Sequence, residues 1–186
     1  LNQLTNSTGG GNISFTYDNN GNLTYDGNFY KRYDAEGRLL KDSSSPANII
    51  TYTYDAFGRR TQKMLNGAPL KYTYAGMEQI EERDGITNVL KTKTIFSNLL
   101  TPIANEKNGS SFYYHQNELN SVEAITNSNG GLLEKYEYDV YGKLIRYDSL
   151  GNPLALSPSG NRFGFTGQEF DSAPRQHGTA ALWEEG

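Results

Sequence analysis

A chain of 186 residues is long enough for one hydrophobic core and short for two. Its 17 Lys and Arg against 21 Asp and Glu give a net charge of −4 without a basic run, which argues against nucleic acid as a partner. With no Cys there is neither a disulfide framework nor a thiolate site, and no stretch of about 20 uncharged apolar residues is present to insert into a membrane.

The 14 Tyr, 8 Phe and 20 Gly favour pleated strands and tight turns. Residues 1–12, ending in the Gly-rich "STGGGN", read as a flexible lead-in. That run lacks the Lys-Ser/Thr and helix of a phosphate-binding loop. From residue 13 the chain alternates aromatic and polar residues, first at Phe15/Tyr17 and then at Tyr52/Tyr54, Tyr72/Tyr74 and Tyr136/Tyr138, the period-2 pattern of a strand. Tyr17-Asp18-x-x-Gly21, Tyr33-Asp34-x-x-Gly37, Tyr54-Asp55-x-x-Gly58 and Tyr138-Asp139-x-x-Gly142 then repeat one motif. In each the short Asp side chain can accept N–H bonds from the turn, and Gly can take the left-handed conformation that reverses the chain. Strand-like residues follow every Gly, so each unit predicts a β-hairpin. The first three of these tyrosines and Tyr74 lie roughly 20 residues apart, a period typical of repeat architectures.

Between the motifs, Asp42–Pro46 and Ser157–Asn161 read as exposed loops on composition. Lys91–Phe96 reads as strand, and Met77–Arg83 could hold a turn or two of helix. Arg59-Arg60 reads as a solvated strand end. The fold class predicted is all-β, antiparallel hairpins laid side by side in an open sheet with the Asp-x-x-Gly turns at one rim.

Chemistry-bearing constellations are few. Two His, His115 and His177, limit nucleophile–base pairs, and neither has a catalytic context. Asp18, Asn20 and Asn22 have the opening spacing of a calcium loop, but Leu23 stands where Gly is required and Phe29 where a bidentate Glu is required. No catalytic residue, cofactor or metal site is predicted. Sequons begin at Asn6, Asn12, Asn22 and Asn108 and matter only in a eukaryotic secretory setting. Tyr17, Tyr54, Tyr72 and Tyr138 would suit carbohydrate if they lined one open groove and a structural wall if they were packed.

The repeats YDNNG, YDAEG, YDAFG and YDVYG, followed by "FYYHQNELNSVEAITNSNGGLLEKYEYDVYGKLI" and "NRFGFTGQEFD", resemble the YD repeats of the Rhs family, which includes the toxin-complex C components and the teneurins, where the chain enters the family's core domain. The resemblance covers about residues 13–172. It implies a β-ribbon spiralling into a hollow shell, with neighbouring repeats and a C-terminal effector of the same chain as partners, and a secreted or bacterial cell-surface location. Asn120 replaces a family turn Gly. After Asp171 the pattern stops at "SAPRQHGTAALWEEG", so residues 173–186 are expected to be a divergent, disordered tail, from a truncated or frame-shifted gene end or a variable terminus. The family's self-cleavage residues have no counterpart among the matched positions. The expected function is a non-catalytic segment of a shell that encloses or displays an effector, with an extracellular carbohydrate-binding module as the alternative.

Overall fold

The structure is a computed structural model that describes residues 3–7, 13–45, 48–98, 101–140 and 142–169. Among these residues it is all-β. Two strands, β1 (Asn6–Ser7) and β2 (Ile13–Ser14), form a small antiparallel pair. The first of them lies inside the expected lead-in. The rest are β3 (Thr16–Tyr17), β4 (Leu23–Tyr25), β5 (Tyr30–Tyr33), β6 (Leu39–Ser45), β7 (Asn48–Tyr54), β8 (Arg60–Leu65), β9 (Ala68–Ala75), β10 (Glu78–Asp84), β11 (Leu90–Asn98), β12 (Thr101–Lys107), β13 (Ser110–Gln116), β14 (Val122–Asn127), β15 (Leu132–Tyr138) and β16 (Leu144–Asp148). Strands β3 to β16 are hydrogen-bonded strictly in chain order in one open, 14-stranded sheet. A 3-10 turn at Phe165–Gly167 is the only helical element described.

A meander places each strand against its sequence neighbours, so contacts are local and no single centre is forced on the chain. The length suggested one core. The chain instead divides into two compact units, Leu1–Tyr72 with Asp84–Val89, and Thr73–Arg83 with Leu90–Gly186. In the first unit β7 shows why the alternation matters: Ile50 and Tyr52 are buried and Tyr54 half-buried on one face, while Thr53 on the other is exposed. The turns at residues 18–21, 34–37 and 55–58 all follow odd-numbered strands and share a rim of that unit. In the second unit the core is Val122, Ile125, Tyr136 and Phe163, flanked by Phe96, Phe112, Tyr114, Tyr138 and Leu144.

Three local expectations are corrected. Asp42–Ser45 belongs to β6, where Lys41, Asp42 and Ser43 face Thr51, Ile50 and Ile49; pairing overrides the loop-like composition, and Asp42 is buried. Pro46 lies outside the described residues. Within Met77–Arg83, Met77 belongs to a turn and Glu78–Arg83 to strand β10, fixed by Gly76 in the left-handed region of that turn and by the cross-strand pair Glu81 and Lys93. Ser157–Asn161 is a turn, but Ser159 and Asn161 are buried rather than exposed, because the segment lies against the second unit's sheet.

Candidate functional site

Two arrangements account for most of the polar chemistry. The first is the repeated turn. Asp18 Oδ1 accepts the backbone N–H of Asn20 and of Asn22, each at 2.9 Å. Asp34 Oδ1 does the same for Glu36 and Arg38, and Asp55 Oδ1 for Phe57 and Arg59. Asp139 accepts from Lys143 N at 2.9 Å. The closing glycines Gly21, Gly37, Gly58 and Gly142 have φ of 91°, 80°, 81° and 79°, and each N–H returns to the Asp carbonyl. Strand register shifts beside Tyr17, Tyr33 and Tyr54, as expected when a type I turn closes through a left-handed Gly bulge. The calcium-like spacing of Asp18, Asn20 and Asn22 is therefore turn chemistry, with Asn22 Nδ2 donating to Asp18 Oδ2.

The residue after Gly completes the turn where it is Arg. Arg38 Nε donates to Asp34 Oδ2 and Arg59 Nε to Asp55 Oδ2, both at 2.7 Å. Arg59 also lies over the Phe57 ring, and Arg60 lies 4.5 Å from the Tyr52 ring centroid. The Arg59-Arg60 pair is thus engaged with the repeat rather than solvated.

Each motif tyrosine has a second role that the sequence did not reveal. The hydroxyl of Tyr33 donates to Leu23 O at 3.1 Å, that of Tyr54 to Leu39 O at 2.8 Å and that of Tyr138 to Val122 O at 2.6 Å. Those carbonyls lie two positions beyond Gly21, Gly37 and Asn120, so each tyrosine ties its hairpin to the turn of an earlier one. Tyr17 likewise donates to Leu4 O. Asn120 takes φ of 60°, and Asn117 Oδ1 accepts from Leu119 N and Ser121 N. Asn117–Asn120 is accordingly a further copy of the turn, as are Asn127–Gly130 and Asp148–Gly151. The Asx-x-x-Gly spacing of the last two was visible in the sequence. Burial holds the phenol of Tyr138 above its ordinary pKa, and burial with the Asp42 carboxylate does so for Tyr33, so both remain neutral donors.

Two predictions follow from this geometry. Gly58→Val is expected to cost about 1–3 kcal/mol, because a β-branched residue is strained at φ of 81°. Open space surrounds that position, so the backbone alone carries the cost. Thr61→Val, which loses an exposed bond to Thr53 O, should cost under about 1 kcal/mol. Urea midpoints of the two variants check the difference. The second concerns pH. Asp18 is held below its ordinary value by the Asn22 side chain and turn N–H groups. At Asp34 and Asp55 burial opposes ionisation, but Arg38, Arg59 and the turn N–H groups outweigh it. A depressed folded pKa stabilises above the unfolded value, about 3.9 for Asp, and the benefit is lost as pH falls through the folded value. The urea midpoint should therefore hold between about pH 7 and 5 and drop below about pH 4.

The second arrangement is a strap, residues 157–169, lying across the second unit's sheet. At its centre is Glu134 on β15, with 0 % exposure. Its Oε1 accepts Ser157 Oγ at 2.9 Å and Ser159 N at 2.8 Å, and its Oε2 accepts the Tyr136 hydroxyl. Arg146 Nε lies 4.0 Å from Oε2. Asn161 Oδ1 and Nδ2 bracket Phe163 through its N–H and carbonyl, both at 2.7 Å. Arg162 donates to Glu169 Oε1 at 2.7 Å and to Thr94 Oγ1 on β11 at 3.2 Å. Asn105 Nδ2 reaches Ser159 O, and Lys107 Nζ reaches Pro158 O. Beyond them Thr166, at φ of 52°, donates its N–H to Ser121 Oγ, and Val122 N donates to Gly164 O. Sequence reading took only the first part of the strap, Ser157–Asn161, for an exposed loop. Its "NRFGFTGQE" string carried the signal as a motif without revealing where it docks.

His115 is exposed, with Nε2 2.9 Å from Thr126 Oγ1, and His177 lies outside the described residues. Among the described residues no group of three or more His, Asp and Glu could hold a metal, and no helix is long and apolar enough to cross a membrane. Tyr17, Tyr54, Tyr72 and Tyr138 are half-buried.

Chain-order hairpins, Asx-x-x-Gly turns and tyrosine ties define a YD-repeat sheet. The sequence profile described as Teneurin YD-shell matches residues 1–168, and the chain belongs to that family. Curated relatives include the "tRNA3(Ser)-specific nuclease WapA" of Bacillus spizizenii and the "tRNA(Glu)-specific nuclease WapA" of Bacillus subtilis subsp. natto, each 34% identical over 181 residues. Both alignments cover 92% of this chain, but the chain spans only 7% of either relative. Among solved structures it resembles the TcdB2-TccC3 complex at 16% identity and a TM-score of 0.55, over 83% of this chain and 8% of that one. It also resembles the Photorhabdus luminescens Tc holotoxin pore at 17% identity and a TM-score of 0.54, over 84% and 8%. At these identities the likeness is one of fold.

Proposed function

We propose that this segment is a non-catalytic wall of a YD-repeat β-shell that encloses or displays a C-terminal effector of a secreted or surface toxin-like protein. The observation that carries this reading is where the polar groups go. The motif Asp carboxylates close turns, and the motif Tyr hydroxyls bind carbonyls of earlier hairpins. The repeat residues Tyr17, Asp18, Gly21 and their three counterparts are structural parts of the wall. The activity in the relatives' names is assigned to regions outside this segment, and the working partner is the remainder of the parent chain.

Limited proteolysis of the complete parent protein tests the container. A C-terminal fragment should survive intact at protease levels that digest the same fragment expressed alone, and equal cleavage of both rejects enclosure. A sugar-array screen of the segment is expected to give no binding, since the hydroxyls of Tyr17, Tyr33, Tyr54 and Tyr138 are already hydrogen-bonded within the protein.

A further inference from the structure

The meander links each strand to its neighbours, whereas the strap contacts strands far apart in the order. From Ser157 to Thr166 it touches Thr94 on β11, Asn105 on β12, Tyr114 on β13, Val122 on β14 and Glu134 on β15. At about 4.8 Å per strand step, β11 and β15 lie about 19 Å apart across the sheet. Twist between adjacent strands varies over tens of degrees, so a sheet held only by neighbour bonds is soft over that distance. A segment fastened at both ends of the span removes that freedom.

We propose that residues 157–169 form a clasp that sets the splay of β11 relative to β15 and opens and closes as one unit, with Arg162 as its positioning residue on the β11 side. Three features support a unit rather than a set of separate contacts. Phe163, 5% exposed, meets Phe96 of β11 and Tyr114 of β13 edge-on at 5.8 and 5.9 Å. The polar anchors Glu134, Ser159 and Asn161 are each at least as buried as that ring. Asn161 N donates to Ser157 Oγ, which in turn donates to Glu134, so releasing Ser157 disturbs the residue that brackets Phe163. The wall would thus contain a rigid panel, whatever the shell contains.

Hydrogen–deuterium exchange of the full 186-residue chain tests this with two variants. Arg162→Leu removes the fastening from the strap side, and Thr94→Val, a mild change within a strand, removes it from the sheet side. Coupling between two positions is reciprocal. Each variant should therefore speed exchange at least about tenfold, or about 1.4 kcal/mol, both in β11 between Thr92 and Phe96 and in the strap at Ser159, Asn161 and Phe163, leaving the β7–β8 hairpin as in the parent chain. The clasp is rejected if either variant loosens only its own side, or if exchange rises equally in the β7–β8 hairpin. A Thr94→Val chain indistinguishable from the parent at every amide rejects it too. None of these outcomes depends on whether an effector is enclosed.

Discussion

Phe163→Ala is expected to cost about 3–5 kcal/mol, the range for truncating a buried aromatic ring. The ring is 5% exposed and belongs to the second unit's core with Val122, Ile125 and Tyr136. No sheet strand supplies it; the strap inserts it between Phe96 and Tyr114, which meet it edge-on, a favourable ring geometry. Truncation leaves a cavity under a segment whose remaining anchors are largely polar, so relaxation by collapse is limited. Leu150→Ala, at a turn tip where the side chain is 85% exposed, serves as the control and should stay within about 0.5 kcal/mol. Urea unfolding followed by far-UV circular dichroism measures both. A fall in the m-value along with the midpoint would show the strap already released in the native state, whereas equal midpoints for the two variants would remove Phe163 from the core.

Glu134 should respond to the chemistry of its replacement more than to its size. Alanine leaves the Ser157 hydroxyl, the Ser159 N–H and the Tyr136 hydroxyl without their buried acceptor, and it removes the carboxylate beside Arg146. Orphaned buried donors and broken buried charge pairs put Glu134→Ala at about 3 kcal/mol or more. Glutamine keeps an oxygen facing Ser157 and Ser159. Its amide nitrogen can donate to the Tyr136 hydroxyl, which only needs to reverse its own proton. Glu134→Gln is therefore expected to cost less than about 1.5 kcal/mol. Thermal or urea midpoints of the pair decide the matter: if Gln is as damaging as Ala, charge rather than hydrogen-bond satisfaction governs the site.

The hairpins were legible because their determinants are local. Alternation around Tyr52/Tyr54 assigned a strand, and Asp55 with Gly58 assigned its turn, since both act within a few residues. At Asn120 it was the family resemblance, not local pattern, that implied a reversal, and the left-handed Asn supplies it. The tyrosine ties were not legible: joining Tyr54 to Leu39 requires the register between hairpins, which alternation alone does not set. Composition misled at the polar segments for one reason. Ser43 was read as loop and Ser159 as exposed because serine is common in such places, yet β7 pairs with the first and Glu134 holds the second. A polar residue's burial depends on its partner, and Glu134 is separated from Ser159 by 25 positions.

The tyrosine ties also give the array a direction in time. Each hydroxyl reaches back to a carbonyl that precedes it in the chain, from Tyr33 to Leu23, from Tyr54 to Leu39 and from Tyr138 to Val122. As the chain emerges from a ribosome, amino end first, each of these tyrosines finds its acceptor already made. Trimming is correspondingly asymmetric. Shortening from the amino end strands a phenol whose partner has gone, while shortening from the carboxyl end bares only a carbonyl that water can serve. Successive deletions measured for stability should therefore fall more steeply from the amino end, and synthesis can pause just after Tyr33, Tyr54 or Tyr138 without leaving that tyrosine unmet.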